Sequence, residues 1–260
     1  MSAGLLHRKL SLLNFDHTYE YQTQLRTSFP HDWIDFTDIS GKNLYCDRAA
    51  QKAINDRLDR YWQPGITFIG NGNFHYVSYF LQSRIQRPYT LLVIDHHTDM
   101  MDNGPLITCG SWVSWALTYL PIQHALLVGP ESNADIPVQC KNRVSLYPER
   151  LSSALTSRLL SQINSNPVYI SIDKDILDIK YAHTNWDQGH LTVSALKDLI
   201  QVIIQRCQVI GVDICGEWPA PHGVWIMPRH QIAIKKNEQV NEQLARLLLN
   251  HKAVHHIGVS

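Results

Sequence analysis

Leu91-Leu92-Val93-Ile94-Asp95-His96-His97-Thr98-Asp99 is an apolar run that stops abruptly in two carboxylates and two imidazoles. A second stretch, Val168-Tyr169-Ile170-Ser171-Ile172-Asp173-Lys174-Asp175, has the same character. Neither run alternates apolar with polar residues. Continuous hydrophobicity over so few residues marks a strand buried on both faces, as in a parallel sheet covered by helices. Working outward, further strand candidates are Ile66–Gly70, Ala125–Gly129, Val144–Tyr147, Gln208–Asp213 and Ala253–Ile257. The two quoted runs predict strands over Tyr89–Asp95 and Pro167–Asp173. Helical periodicity falls between them, over Asp47–Tyr61, His75–Ile85, Ser111–Tyr119, Glu149–Asn164, Thr192–Arg206 and Asn237–Asn250. This alternation predicts an α/β fold, a three-layer α/β/α sandwich on a mostly parallel central sheet.

The 260 residues read as one domain, 1–260, with residues 1–45 as an N-terminal elaboration. Residues 214–236 form the most irregular long segment. Lys plus Arg and Asp plus Glu are each 23, so no basic field exists to draw nucleic acid or an anionic membrane. No apolar run approaches a membrane span, and the N-terminus carries no signal-peptide pattern. The five cysteines are odd in number and lack a CxxC pair, which points to reduced thiols and a cytoplasmic protein.

In open parallel sheets chemistry gathers at the carboxyl ends of the strands. Asp95, His97 and Asp99 are two residues apart; if the extended chain persists, they share one face. Asp173 and Asp175 do the same, with Lys174 pointing away. Gly70 and Gly72 turn the chain out of another strand toward His75. Buried unpaired carboxylates are costly, and a cation is their natural partner. Oxygen ligands with two histidines favour Mn²⁺ or Fe²⁺ over a thiolate zinc site. A single Asp at a strand end is more simply a cap or turn residue; the two paired patterns together carry the reading.

These residues resemble the arginase/agmatinase (ureohydrolase) superfamily. That family carries Asp-x-His-x-Asp, Ser-x-Asp-x-Asp and an earlier Gly-Gly-Asp-His turn. Here they read Asp95 to Asp99, Ser171 to Asp175 and, in degenerate form, Gly72-Asn73-Phe74-His75. The resemblance spans roughly residues 60–220 and implies two metal ions, Mn²⁺ in kind. One would be held by His75, Asp95, Asp99 and Asp173, the other by Asp95, His97, Asp173 and Asp175. It implies that an activated water attacks the guanidinium carbon, releasing an amine and urea, with Asp99 moving the proton. It also implies a carboxylate that grips the guanidinium, for which Glu217 is the candidate, one residue later than the usual spacing.

Two departures narrow the expectation. Where the family places a proton-relaying histidine before a glycine, this chain has Cys109-Gly110. Cys109 is then a relay or a small buried residue, with His96, His183 or His222 as substitutes. The segment after Asp99 is short and apolar (Met100, Met101, Pro105, Leu106, Ile107), without the polar groups that hold the α-amino and α-carboxylate of free arginine. The chain is in these respects similar to the atypical peptide arginases, which convert arginine in a precursor peptide to ornithine during ribosomal-peptide biosynthesis. An arginine-containing peptide is thus the expected partner, with Trp186 and Trp218 (and Trp225) as groove residues and Asp187 as a turn residue. The family also forms homo-oligomers. Three other readings remain: a small-substrate ureohydrolase (agmatinase, guanidinobutyrase, formiminoglutamase or free-arginine arginase), a single-zinc amide deacetylase, and a non-catalytic binding or regulatory protein that kept the fold.

Overall fold

The computed structural model describes residues 9–102, 104–163, 166–219 and 226–250. The expected strand at Ala253–Ile257, and His222 and Trp225, lie outside the described residues. Strands β1 (Leu10–Asn14), β2 (His31–Asp35), β3 (Tyr45–Cys46), β4 (Ile66–Phe68), β5 (Tyr89–Ile94), β6 (Ile107–Thr108), β7 (Ile122–Gly129), β8 (Val144–Pro148), β9 (Val168–Asp173) and β10 (Val209–Cys215) alternate with helices. The helices are α1 (Thr23–Ser28), α2 (Arg48–Tyr61), α3 (Val77–Gln82), α4 (Trp112–Tyr119), α5 (Ser153–Ile163), α6 (Val193–Arg206) and α7 (Pro228–Leu249).

Eight strands form one sheet in the order β2-β1-β4-β10-β9-β5-β7-β8. Every paired neighbour in it is parallel. The two-residue strands β3 and β6 pair antiparallel in a separate ribbon. The period of two along each strand divides the core. Leu91, Val93 and Leu127 pack with α2, α3 and α4; Leu92, Ile94, Leu126 and Val128 pack with α5, α6 and α7. This is the predicted three-layer sandwich, and the continuous apolar runs are the strands buried between both helix layers. The chemistry-bearing strand ends of β9 and β5 lie side by side near the middle of the sheet, with β10 flanking β9.

The structure differs from the sequence reading in three places. The N-terminal stretch supplies β1 and β2, which extend the main sheet at one edge. Helix α7 begins at Pro228, nine residues before the expected start at Asn237. A proline at the first helical position has no hydrogen bond to lose and its φ already suits the helix. Strand β10 runs on to Cys215, two residues past the expected end.

Candidate metal and substrate site

Strand β5 ends at Ile94, so the Asp-x-His-x-Asp side chains do not converge by continued pleating. They converge through a turn in which Asp99 has φ 50°, the left-handed region that Asp tolerates better than most residues. The amide of His97 donates to Asp95 Oδ1 at 2.6 Å and fixes that turn. At the end of β9 the chain enters a 3₁₀ turn, Lys174–Ile176, capped by Asp173, whose Oδ1 accepts from the Asp175 amide at 2.9 Å. The amide of His96 donates to Asp175 Oδ1 at 3.1 Å, tying the two turns together. His75 stands between the 3₁₀ turn Gly72–Phe74 and α3, and its ring reaches over the same sheet edge.

All six expected ligands line one cavity of about 520 Å³. His75 Nδ1 lies 2.9 Å from Asp99 Oδ2, 3.3 Å from Asp95 Oδ2 and 3.5 Å from Asp173 Oδ2. His97 Nδ1 lies 2.9 Å from Asp175 Oδ2 and 3.6 Å from Asp95 Oδ1. Two carboxylate–imidazole triads, His75–Asp95–Asp99 and Asp95–His97–Asp175, share Asp95, and a third group is His75–Asp173–Cys215. Asp95 Oδ2 is buried and accepts no hydrogen bond. A carboxylate oxygen left bare among three other carboxylates fits a cation, because an apolar or neutral neighbour would leave its charge uncompensated.

Electrostatics agree. Burial and the neighbouring Asp95 push Asp99 up to about 6, and burial with like charge also raises Asp173 and Asp175. Burial opposes the protonation of His97, but Asp175 and Asp95 prevail and raise it to about 12. Burial likewise opposes protonation of His75, yet the anionic groups around it hold its proton well above the usual range. Protons on the imidazoles thus stand where cationic charge is wanted.

Behind the ligands lies a supporting layer. Ser171 and Ser78 both donate to Asp213 Oδ1, at 2.6 and 2.8 Å. Ser171 Oγ therefore accepts from His75 Nε2, 2.9 Å away, which turns Nδ1 toward the carboxylates. The Trp112 indole donates to Asp99 Oδ2 at 2.6 Å, and the Cys215 thiol donates to Asp173 Oδ2 at 3.0 Å. Trp112 and Trp115 have the i, i+3 spacing of core residues in an apolar helical segment. Trp112 is indeed fully buried, and its N–H additionally serves the site.

A model of the arginase family matches residues 7–223. The chain belongs to the arginase family. Membership makes it a metal-dependent hydrolase of amidino groups. An uncharacterized protein of Thermotoga maritima is 34% identical over 188 residues, 72% of this chain and 69% of that protein. Two solved structures share the fold. A hypothetical agmatinase from Burkholderia thailandensis has a TM-score of 0.68 and 16% identity, covering 95% of this chain and 87% of that one. The proclavaminate amidino hydrolase of Streptomyces clavuligerus has a TM-score of 0.68 and 13% identity, covering 95% and 94%.

Not every residue expected from the arginase family reaches this cavity. Cys109 and Trp186 line it. Trp186 packs over Gly72, where a Cβ would meet its ring at 2.7 Å, and sits edge-on to His97. Burial pushes the Cys109 thiol up to about 12, with Asp99 adding to the effect, so it is a neutral thiol at physiological pH. Glu217 is elsewhere. Its carboxylate is fully buried, bound to Lys174 Nζ, to Gln22 Nε2 at 2.8 Å and to Asn241 Nδ2 at 2.6 Å. Lys174, expected to point away from the metal face, does so and takes Glu217 with it. Gly216, immediately before Glu217, has φ 85°, and a Cβ there would lie 2.3 Å from Asp173 Oδ1. Trp218 also lies off the cavity, donating to His230 Nδ1 at 2.7 Å. His183 contacts Lys236 and Asn237. His96 does line the cavity. Among the described residues, no helix is long and apolar enough to cross a membrane.

Proposed function

We propose that this protein hydrolyses the guanidinium of arginine residues within a peptide, leaving ornithine in the chain and releasing urea. The observation that carries this reading is the cavity rim. Leu44, Tyr45, Met101 and Trp186 line the cavity and are 40, 51, 63 and 37% exposed. Exposed large apolar side chains gathered at one opening mark a binding surface for something larger than the pocket itself. Among the described residues no Lys or Arg lines the cavity, so the α-carboxylate of free arginine finds no cationic partner among them.

The donor set of four carboxylates and two imidazoles suits two Mn²⁺ ions. His75, Asp95, Asp99 and Asp173 would hold one, and Asp95, His97, Asp173 and Asp175 the other. When bound, such ions supply Lewis acidity that makes water a nucleophile at neutral pH. The chain does the rest. Its turns aim the carboxylates, the Ser171–Asp213 pair orients His75, and the apolar rim excludes bulk water from the guanidinium. Asp99, the ligand nearest Cys109 and Trp112, is the group placed to receive a proton as water adds to the guanidinium carbon. The amine then leaves protonated and urea departs.

A small guanidine without a carboxylate, such as agmatine, meets the same absence of Lys and Arg and is the second reading. The test is to supply Mn²⁺-loaded protein separately with an arginine-containing peptide, agmatine and free arginine, measuring urea and the peptide mass. Urea with an ornithine-sized mass loss from the peptide alone supports the proposal. Urea from agmatine alone moves the protein to the small-substrate class.

A further inference from the structure

We infer that Glu131, at the carboxyl end of β7, is the carboxylate that recognises the substrate guanidinium, in the place expected for Glu217. This rests on the guanidinium reading above and deepens it.

A guanidinium approaching this site meets a floor whose charges are already spent. The four ligand carboxylates balance two divalent cations, and the two imidazoles are neutral when they ligate. Holding a cation beside that floor calls for one more anion. Glu217 is not available, because Lys174, Gln22 and Asn241 occupy its carboxylate. Asp187 is not among the residues that line the cavity, and its Oδ2 lies 3.7 Å from the outer nitrogen of His97. Among the residues lining the cavity, Glu131 is the one acidic side chain outside the ligand set.

Its position is built rather than incidental. The Asp95 amide donates to the Val128 carbonyl at 3.0 Å, strapping the end of β7 to the first bridging ligand. At Gly129, φ is 128°, and a Cβ would lie 2.0 Å from the Asp95 carbonyl oxygen, so the two backbones touch here and only glycine fits. Pro130 then restricts the chain, and the Ala134 amide donates to the Glu131 carbonyl at 2.9 Å, closing a turn. Pro130, Glu131 and Ala134 all line the cavity together with Trp186. A carboxylate and an indole lining one cavity suit a planar delocalised cation, which donates charged hydrogen bonds at its edge and stacks on its plane.

The experiment uses the full-length Mn²⁺-loaded protein and Glu131→Gln. Two binding probes of equal shape are an arginine-containing peptide and the same peptide with citrulline, a neutral urea, in its place. The wild type is expected to bind the arginine peptide more tightly, and Glu131→Gln to bind both alike. In turnover, Glu131→Gln should raise KM for the arginine peptide by roughly 10- to 100-fold, with kcat and bound metal little changed. Retained preference for arginine in Glu131→Gln overturns the inference, as does a loss of metal that accounts for the whole effect. Agmatine separates the two readings. If only agmatine is hydrolysed, the peptide proposal fails, while a raised KM for agmatine in Glu131→Gln still supports Glu131, and an unchanged one overturns it.

Discussion

Asp99 combines a left-handed backbone with a carboxylate shared between His75 and the Trp112 indole. Partners behind a metal ligand commonly set its affinity by 10- to 100-fold. Trp112→Phe should therefore weaken Mn²⁺ binding by roughly that factor, read by titration of stripped protein; unchanged affinity would show that the indole only fills space. Asp95→Ala removes the ligand shared by both triads, so bound metal should fall below one ion per chain and urea formation by roughly 1,000-fold or more. Metal analysis and a urea assay check both. Cys109→Ala should keep turnover within about threefold, because a thiol held near 12 is neither acid nor base at neutral pH. A large loss of kcat in that variant would reinstate the thiol as a relay. At this scale the gathering of the six acidic and imidazole side chains in one cavity was legible because paired acidic strand ends are rare and chemically specific. Glu217 was not, because its fate depends on a lysine in another motif and on residues 22 and 241, which no local pattern links. Glu131 carries no local signal of its own, because a Pro-Glu pair after a strand looks like any turn.

Among the elements, β5 and β9 were readable from continuous hydrophobicity, and α2 and α6 from helical spacing with Asp47 and Thr192 as caps. Strand β2 was hidden by mixed aromatic and acidic residues, since it sits at the sheet edge with most of its side chains partly or fully exposed, whereas β1 is buried throughout but only five residues long. Helix α7 was half-read because Pro228 and the residues after it suggest a breaker until the first-turn rule is applied. The elements meet most tightly where β9, β10 and α7 converge on Lys174, whose ammonium binds Glu217 and Asn241 in full burial. Removing one partner of a buried ion pair costs about 3–5 kcal/mol, whereas replacing both with apolar residues is often tolerated. Lys174→Met should lower Tm by roughly 6–20 °C, and the double variant Lys174→Met/Glu217→Leu should recover most of it. Equal melting of the two variants would mean that packing, not charge, holds this junction.

For the whole molecule, metal and pH act on stability together. Despite burial, Asp175 and Asp95 raise His97 to about 12 from a usual 6.5. A raised folded value means that this protonated pairing stabilises the metal-free chain fully below about pH 6.5 and fades as pH climbs toward 12. Burial works against the ionised Asp95, but the neighbouring His75 and His97 outweigh it and depress the carboxyl, so its contribution persists through that range and is lost only in acid. A metal ion takes the place of the imidazolium proton and removes the alkaline loss. At a metal concentration 100 times Kd the gain is about 2.7 kcal/mol, or roughly 5–11 °C in Tm. Melting of chelator-treated and Mn²⁺-loaded protein at pH 6 and pH 9 should show the gap widening at pH 9; a gap independent of pH would show that metal and proton do not compete. The Lys174 junction has one more consequence, in biosynthesis. Glu217 is satisfied by Gln22, ahead of most of the sheet strands, and by Asn241 in α7, 219 residues later. A nascent polypeptide leaving the ribosome cannot complete that contact until α7 has been translated. Strands β5 and β9, which lead into the acidic clusters, must then wait for α7, and a premature stop before α7 would leave the buried Lys174–Glu217 pair without Asn241.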